Sequence, residues 1–164
     1  MHRRQPDGSI APFVLDRPDV AEYHIGGGGL FGTAPDYLRF TQAILDDGGP
    51  ILKPETVALM AQNHIGDLDV EPMLTRIPQL SADCEFWPGT RKKWGLSFLI
   101  NTEDAPEGRA AGSLAWAGLS NLYFWIDRSR GVTGVFASQM LPYYDPRAIA
   151  TFRRFERAVY DSRA

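Results

Sequence analysis

The sequence predicts an α+β fold. Two segments of amphipathic helical period, near residues 34–47 and 54–62, come first, and three strand-like apolar runs and a last helix fill the C-terminal half. The hydrophobic period changes from helical to extended at Trp94, and no βαβ alternation follows. The chain of 164 residues is long enough for one domain with a substantial core but not for two large ones.

Residues 1–25 show no sustained period, and Pro6-Asp7-Gly8-Ser9 is turn chemistry. The run GGGGLFGTAPDYLRFTQAILDDGG (residues 26–49) opens on four glycines, which permit backbone angles closed to other residues. Thr33 fits an N-cap, with Pro35 in the first turn and Asp36 at the third helical position, as in a capping box. Tyr37, Leu38, Thr41, Ile44 and Leu45 then share one helical face, and Gly48-Gly49 stops the helix. Pro54-Glu55 opens a second helix that turns Val57, Met60 and Ala61 inward and ends by Asn63 and Gly66.

Residues 66–93 are irregular, and a connection of that length often lies over a site. WGLSFLI (94–100), LAWAGLSNLYFWID (114–127) and VTGVFASQML (132–141) read as three strands of an antiparallel meander, the last two joined by Arg128-Ser129-Arg130-Gly131. Asp145 caps and Pro146 opens a final helix with Ile149, Phe152, Phe155 and Val159 as its apolar stripe. This divides the chain into 1–93, helices and long loops, and 94–164, a three-stranded sheet with its helix. The middle strand is apolar through its second half, which calls for cover on both faces. One helix on a three-stranded sheet covers one face, so the pattern implies more protein than the chain supplies.

Composition excludes several functions. A net charge of −3 without a clustered basic face argues against nucleic acid and anionic membranes. Arg91-Lys92-Lys93 and the arginines 153, 154, 157 and 163 read as solvated loop and helix surface. One cysteine, Cys84, rules out an internal disulfide and a Cys-rich zinc site. His2, His24 and His64 lack ligand spacing, so neither a metal nor a cofactor is expected. No apolar run is long enough to span a membrane and no secretory signal opens the chain, so a cytoplasmic location is expected.

No nucleophile identifies itself. There is no Gly-x-Ser-x-Gly elbow, no serine followed by lysine three residues later, and no Tyr-x-Asn. The glycine run lacks the lysine of a phosphate loop. Lys93-Trp94-Gly95 spells Lys-x-Gly but enters the strand before the one that carries Trp116-Ala117-Gly118.

Taken in order, GGGGLFGTAPDYLRF, ILKPETVALMAQNHIG, WGLSF and GSLAWAGLSNLYFWIDRSRGVTGVFASQMLP resemble the C-terminal part of the serine β-lactamase and penicillin-binding-protein-like hydrolases, nearest to their class-C-like (family VIII) esterases. The resemblance runs from about residue 5 to 160 and sets Met1 against an internal loop of the family. It implies the C-terminal part of a β-lactamase-like fold, and acyl hydrolysis through an acyl-enzyme on a small ester or related acyl substrate. Trp116-Ala117-Gly118 stands where the family carries its sheet-strand triplet. Trp116, Ala117, Gly118, Leu119 and Asn121 would line the site, with the Leu119 N–H as half of an oxyanion hole and the loop 66–93 as a substrate wall. Trp116 in place of a cation favours a neutral acyl substrate. The Ser-x-x-Lys and Tyr-x-Asn motifs have no counterpart here, so the chain alone is expected to be inactive. Two other readings stay open: a non-catalytic interaction module that self-associates through an uncovered sheet face, and a small-ligand carrier beside Trp116.

Overall fold

The computed structural model describes residues 1–14, 23, 27 and 29–163. Eleven elements follow one another: β1 (His2–Arg4), β2 (Ile10–Pro12), α1 (Ala34–Leu45), α2 (Pro54–Met60), β3 (Lys92–Trp94), β4 (Leu99–Asn101), β5 (Leu114–Gly118), β6 (Leu122–Asp127), β7 (Val132–Phe136), β8 (Met140–Leu141) and α3 (Pro146–Asp161). The main sheet is antiparallel with order β3-β4-β5-β6-β7, and a small sheet has order β2-β1-β8.

The helix ends follow local chemistry. Thr33 and Asp36 form the reciprocal capping box expected for α1, satisfying two otherwise orphaned N–H groups. Asp145 caps α3 by accepting from the N–H groups of Arg147 and Ala148. Of the glycine run, Gly26 and Gly28 lie outside the described residues, as does His24.

The strands divide more finely than their apolar runs suggest. Residues 94–100 contain the end of β3, a turn and the start of β4. Residues 114–127 are not one strand but a hairpin, with Gly118 paired to Leu122 across the turn 119–121. Residues 132–141 contribute β7 to the main sheet and β8 to the small one. The meander therefore has five strands rather than three, and the division at residue 93 falls inside β3.

Both faces of β6 are covered from within the chain, which corrects the expectation of a face left bare. On one face Tyr123 and Trp125 meet Ile149 and Phe152 of α3 together with Cys84, Phe86 and Trp87 of the long loop. Tyr123 stacks on Phe152 at 4.7 Å. On the other face Phe124 and Ile126 meet Ile44 of α1 and Val57 of α2. Alternation across the pleat sends successive residues of β6 into separate apolar layers, hence its unbroken apolar sequence. Helices from the first part and strands from the second share these cores.

Candidate functional site

The hairpin turn 119–121 is built around Asn121, a buried residue with φ of 56°. A three-residue hairpin loop favours a left-handed residue at its last position, and Asn accepts that conformation better than other non-glycine residues. The Asn121 side chain is fully engaged. Its Nδ2 donates to the carbonyls of Met140 (2.9 Å) and Pro142 (2.7 Å), while its Oδ1 accepts from Tyr123 Oη (2.7 Å) and the Asp145 N–H (3.1 Å). Asn121 thus faces inward as a pin and does not line an open surface. Ser138 Oγ is within 2.7 Å of the Ser120 carbonyl and 3.1 Å of that of Asn121.

Asp145 extends the network. Besides capping α3, it takes two hydrogen bonds from Arg4 of β1, one of them Nη2 to Oδ1 at 3.0 Å. Burial acts to raise its pKa, but the hydrogen bonds from Arg4 and the α3 amides outweigh that and hold it below the ordinary carboxylate value. The turn is therefore tied to β1, to the 138–142 segment and to the start of α3.

Against this anchored base the other expected residues stand at one end of the sheet. The Trp116 ring lies edge-on to Trp94 at 4.6 Å and 6.3 Å from Phe86. Ala117 and Gly118 are half-buried. A β-carbon at Gly118 would press on the Leu122 side chain at 3.2 Å. Leu119 is 43% exposed, and among the described residues its N–H has no hydrogen-bond partner.

Other candidates are occupied elsewhere. Lys93 Nζ is held by the Gly66 carbonyl and by Asp69 at 2.9 Å, and a β-carbon on Gly95 would overlap the Met60 carbonyl. Lys93-Trp94-Gly95 is thus a packing motif. The His64 ring is bonded to the Leu59 carbonyl at 2.8 Å. Burial pushes the Cys84 thiol up to about 11, so it is protonated at neutral pH and a poor nucleophile. Tyr160-Asp161-Ser162 spells Tyr-x-Ser. The Tyr160 hydroxyl donates to Asp127 Oδ2 (3.0 Å) and accepts from Trp125 (3.1 Å), and burial, with Asp127 beside it, raises its pKa strongly. Asp127 ends β6 five residues from Leu122, roughly 17 Å from the turn, so Tyr160 is no base for this site. The loop 66–93 contributes Phe86 beside Trp116 but also packs Cys84 and Trp87 into the core. A cleft of about 930 Å³ between that loop and α3, lined by Cys84, Glu107, Tyr144, Ile149 and Arg153, does not include Trp116. Among the described residues no group of His, Cys, Asp or Glu is placed to hold a metal ion.

A family model described as Beta-lactamase matches residues 2–158. The chain belongs to the Beta-lactamase family. Among proteins similar to this family member, monacolin J acid methylbutanoyltransferase of Aspergillus terreus is 30% identical over 166 residues, covering 97% of this chain and 40% of its own length. Lovastatin esterase of Penicillium rubens is 30% identical over 142 residues, covering 82% of this chain and 35% of its own. The structure resembles a mutant of simvastatin synthase from Aspergillus terreus with a TM-score of 0.75 at 27% identity, over 99% of this chain and 41% of that one. The chain therefore spans about two-fifths or less of these relatives, which include an acyltransferase and an esterase. The fold is the corresponding part of a β-lactamase-like fold.

Proposed function

We propose that the chain supplies the sheet-side half of an acyl-transfer site. Trp116, Ala117 and Gly118 line the acyl group, and the Leu119 N–H donates to the oxygen that becomes negative when a serine adds to the acyl carbonyl. One such donor lowers the barrier by about 3–4 kcal/mol. The serine with its lysine, and the tyrosine, belong to sequence that this segment does not span. The observation that carries the reading is the Leu119 N–H, which among the described residues has no hydrogen-bond partner and belongs to a half-exposed residue on a turn that Asn121, Ser138 and Asp145 hold in place. An unpaired donor on a rigid turn is suited to a charge that develops only during reaction.

Trp116 in place of a cation favours a neutral acyl compound, a carboxylic ester above all. Relatives named as an esterase and as a methylbutanoyltransferase support a common acyl-enzyme whose acyl group passes either to water or to another acceptor.

The test uses 4-nitrophenyl butyrate. The 164-residue chain alone should give no burst of nitrophenolate, and a burst would overturn the placement of the nucleophile elsewhere. Within a longer chain that carries Ser-x-x-Lys upstream, the burst should appear. There, Leu119→Pro should lower kcat by about 100-fold with KM little changed, as for loss of one oxyanion donor. An unchanged kcat would remove Leu119 from the site.

A further inference from the structure

The cleft of about 930 Å³ between the loop 66–93 and α3 has no part in the acyl site, yet its walls are chemically specific. Every residue that lines it is among those described, so both walls belong to this chain. On α3, Ile149 and Arg153 stand four residues apart on one side of the helix, as do Ala150 and Arg154. Cys84 and Tyr144 extend the apolar floor that Ile149 begins.

Glu107 is the anomaly. It lines the cleft, it is 7% exposed, and its Oε2 is buried with no hydrogen-bond partner among the described residues. Its turn is fixed against α3: Arg157 donates to the Pro106 carbonyl at 3.3 Å, and a β-carbon on Gly108 would overlap the Tyr160 side chain. Arg153 Nε stands 3.8 Å from Glu107 Oε1, too far for a hydrogen bond. A buried carboxylate oxygen short of a donor is costly. Beside it, the half-exposed Arg153 has no carboxylate within hydrogen-bond distance among the described residues. The other acids of the cleft are engaged. Asp83 Oδ1 accepts from the Thr75 N–H at 2.8 Å, and Glu85 faces Lys92 at 3.8 Å.

We propose that this cleft binds a free α-amino acid with a large apolar side chain. The ammonium donates to Glu107, the carboxylate takes the Arg153 guanidinium, and the side chain covers Cys84, Tyr144 and Ile149. Charge selects this class of ligand. A plain anion would meet Glu107, and a plain cation would meet Arg153, Arg154 and Arg157. A free amino acid carries both charges on one carbon, as adjacent Glu107 and Arg153 require. The interior of a polypeptide carries neither charge on its backbone, so a packed segment of upstream chain is a poorer match. The site is independent of the acyl-transfer reading.

Titration of L-tryptophan into the isotope-labelled 164-residue chain, followed through amide chemical shifts, tests this. Saturable shifts should centre on residues 82–85, 107 and 149–154. N-acetyl-L-tryptophan lacks the ammonium and L-tryptophanamide lacks the carboxylate, and each should bind about tenfold or more weakly. Glu107→Gln should weaken L-tryptophan to a similar degree. Arg153→Gln changes a less buried residue, with circular dichroism unchanged, and should weaken L-tryptophan but not L-tryptophanamide. A longer chain that includes upstream sequence should show the same shifts. No saturation, equal binding of the three compounds, undiminished L-tryptophan binding by the folded Arg153→Gln variant, or loss of binding in the longer chain would each overturn the proposal.

Discussion

Gly134 has no side chain because Trp125 occupies the space where one would stand: a β-carbon there would overlap the indole ring. Trp125 is fully buried and cannot give way, since Phe152 and Phe155 flank it at 5.9 and 5.8 Å and its Nε1 is bonded to Tyr160. Gly134→Ala should therefore destabilise the chain by about 2–3 kcal/mol, at the upper end for an overpacked core, measured as a lower urea midpoint with unchanged slope. A midpoint equal to that of the unmodified chain would mean that the indole relocates freely. Arg109 and Glu156 face a different constraint. Both are 1% exposed and doubly hydrogen-bonded, with the guanidinium over the rings of Trp87 (4.7 Å) and Trp125 (5.6 Å). Glu156→Gln removes one charge and leaves the other buried, so a loss of about 3–5 kcal/mol is expected in the same measurement.

At the scale of the element, the β5–β6 hairpin depends on Asn121 for both its backbone angle and its four hydrogen bonds. The two contributions can be separated. Asn121→Gly keeps the left-handed angle and loses the bonds, whereas Asn121→Ala loses both. The alanine variant should be the less stable by about 1 kcal/mol, the cost of a β-carbon in that conformation, and equal stabilities would show that the angle carries no strain. The same hairpin marks the limit of reading from sequence. The caps of α1 and α3 were legible, because Thr33 with Asp36 and Asp145 with Pro146 act within four residues. The turn at 119–121 was not, because an apolar run on both sides of Leu-Ser-Asn also fits a single long strand. The family resemblance makes Asn121 a lining residue, yet its partners Met140, Pro142 and Asp145 lie 19 to 24 residues away, beyond the reach of any local pattern.

For the whole molecule, the layer between the sheet, α3 and the long loop gathers ionisable groups that must stay neutral. Burial pushes the Cys84 thiol up to about 11 and the Tyr144 phenol up to about 12, and it raises Tyr123, Tyr143 and Tyr160 further. A folded-state pKa above the unfolded value gives stability that is complete below the unfolded pKa and is lost as pH rises through the folded one. The unfolded thiol ionises near 9 and the phenols near 10, so the melting temperature should fall steeply with pH from about 9 upward. Thermal melts by circular dichroism between neutral and strongly alkaline pH provide the measurement, and a flat profile above pH 9 would contradict the burial of this layer.

The sequence by itself determined the caps of α1 and α3, the apolar stripe of α3, the segments that enter the core and the ordered set of four segments that carries the family resemblance. The caps and the stripe rest on residues one to four positions apart, where sterics and hydrogen bonding are settled locally. Only the tertiary structure decided that residues 114–127 fold back on themselves and that α1 covers the face expected to be bare. Strand pairing and helix docking join residues far apart in the chain, and an apolar run shows that it will be buried without showing against what.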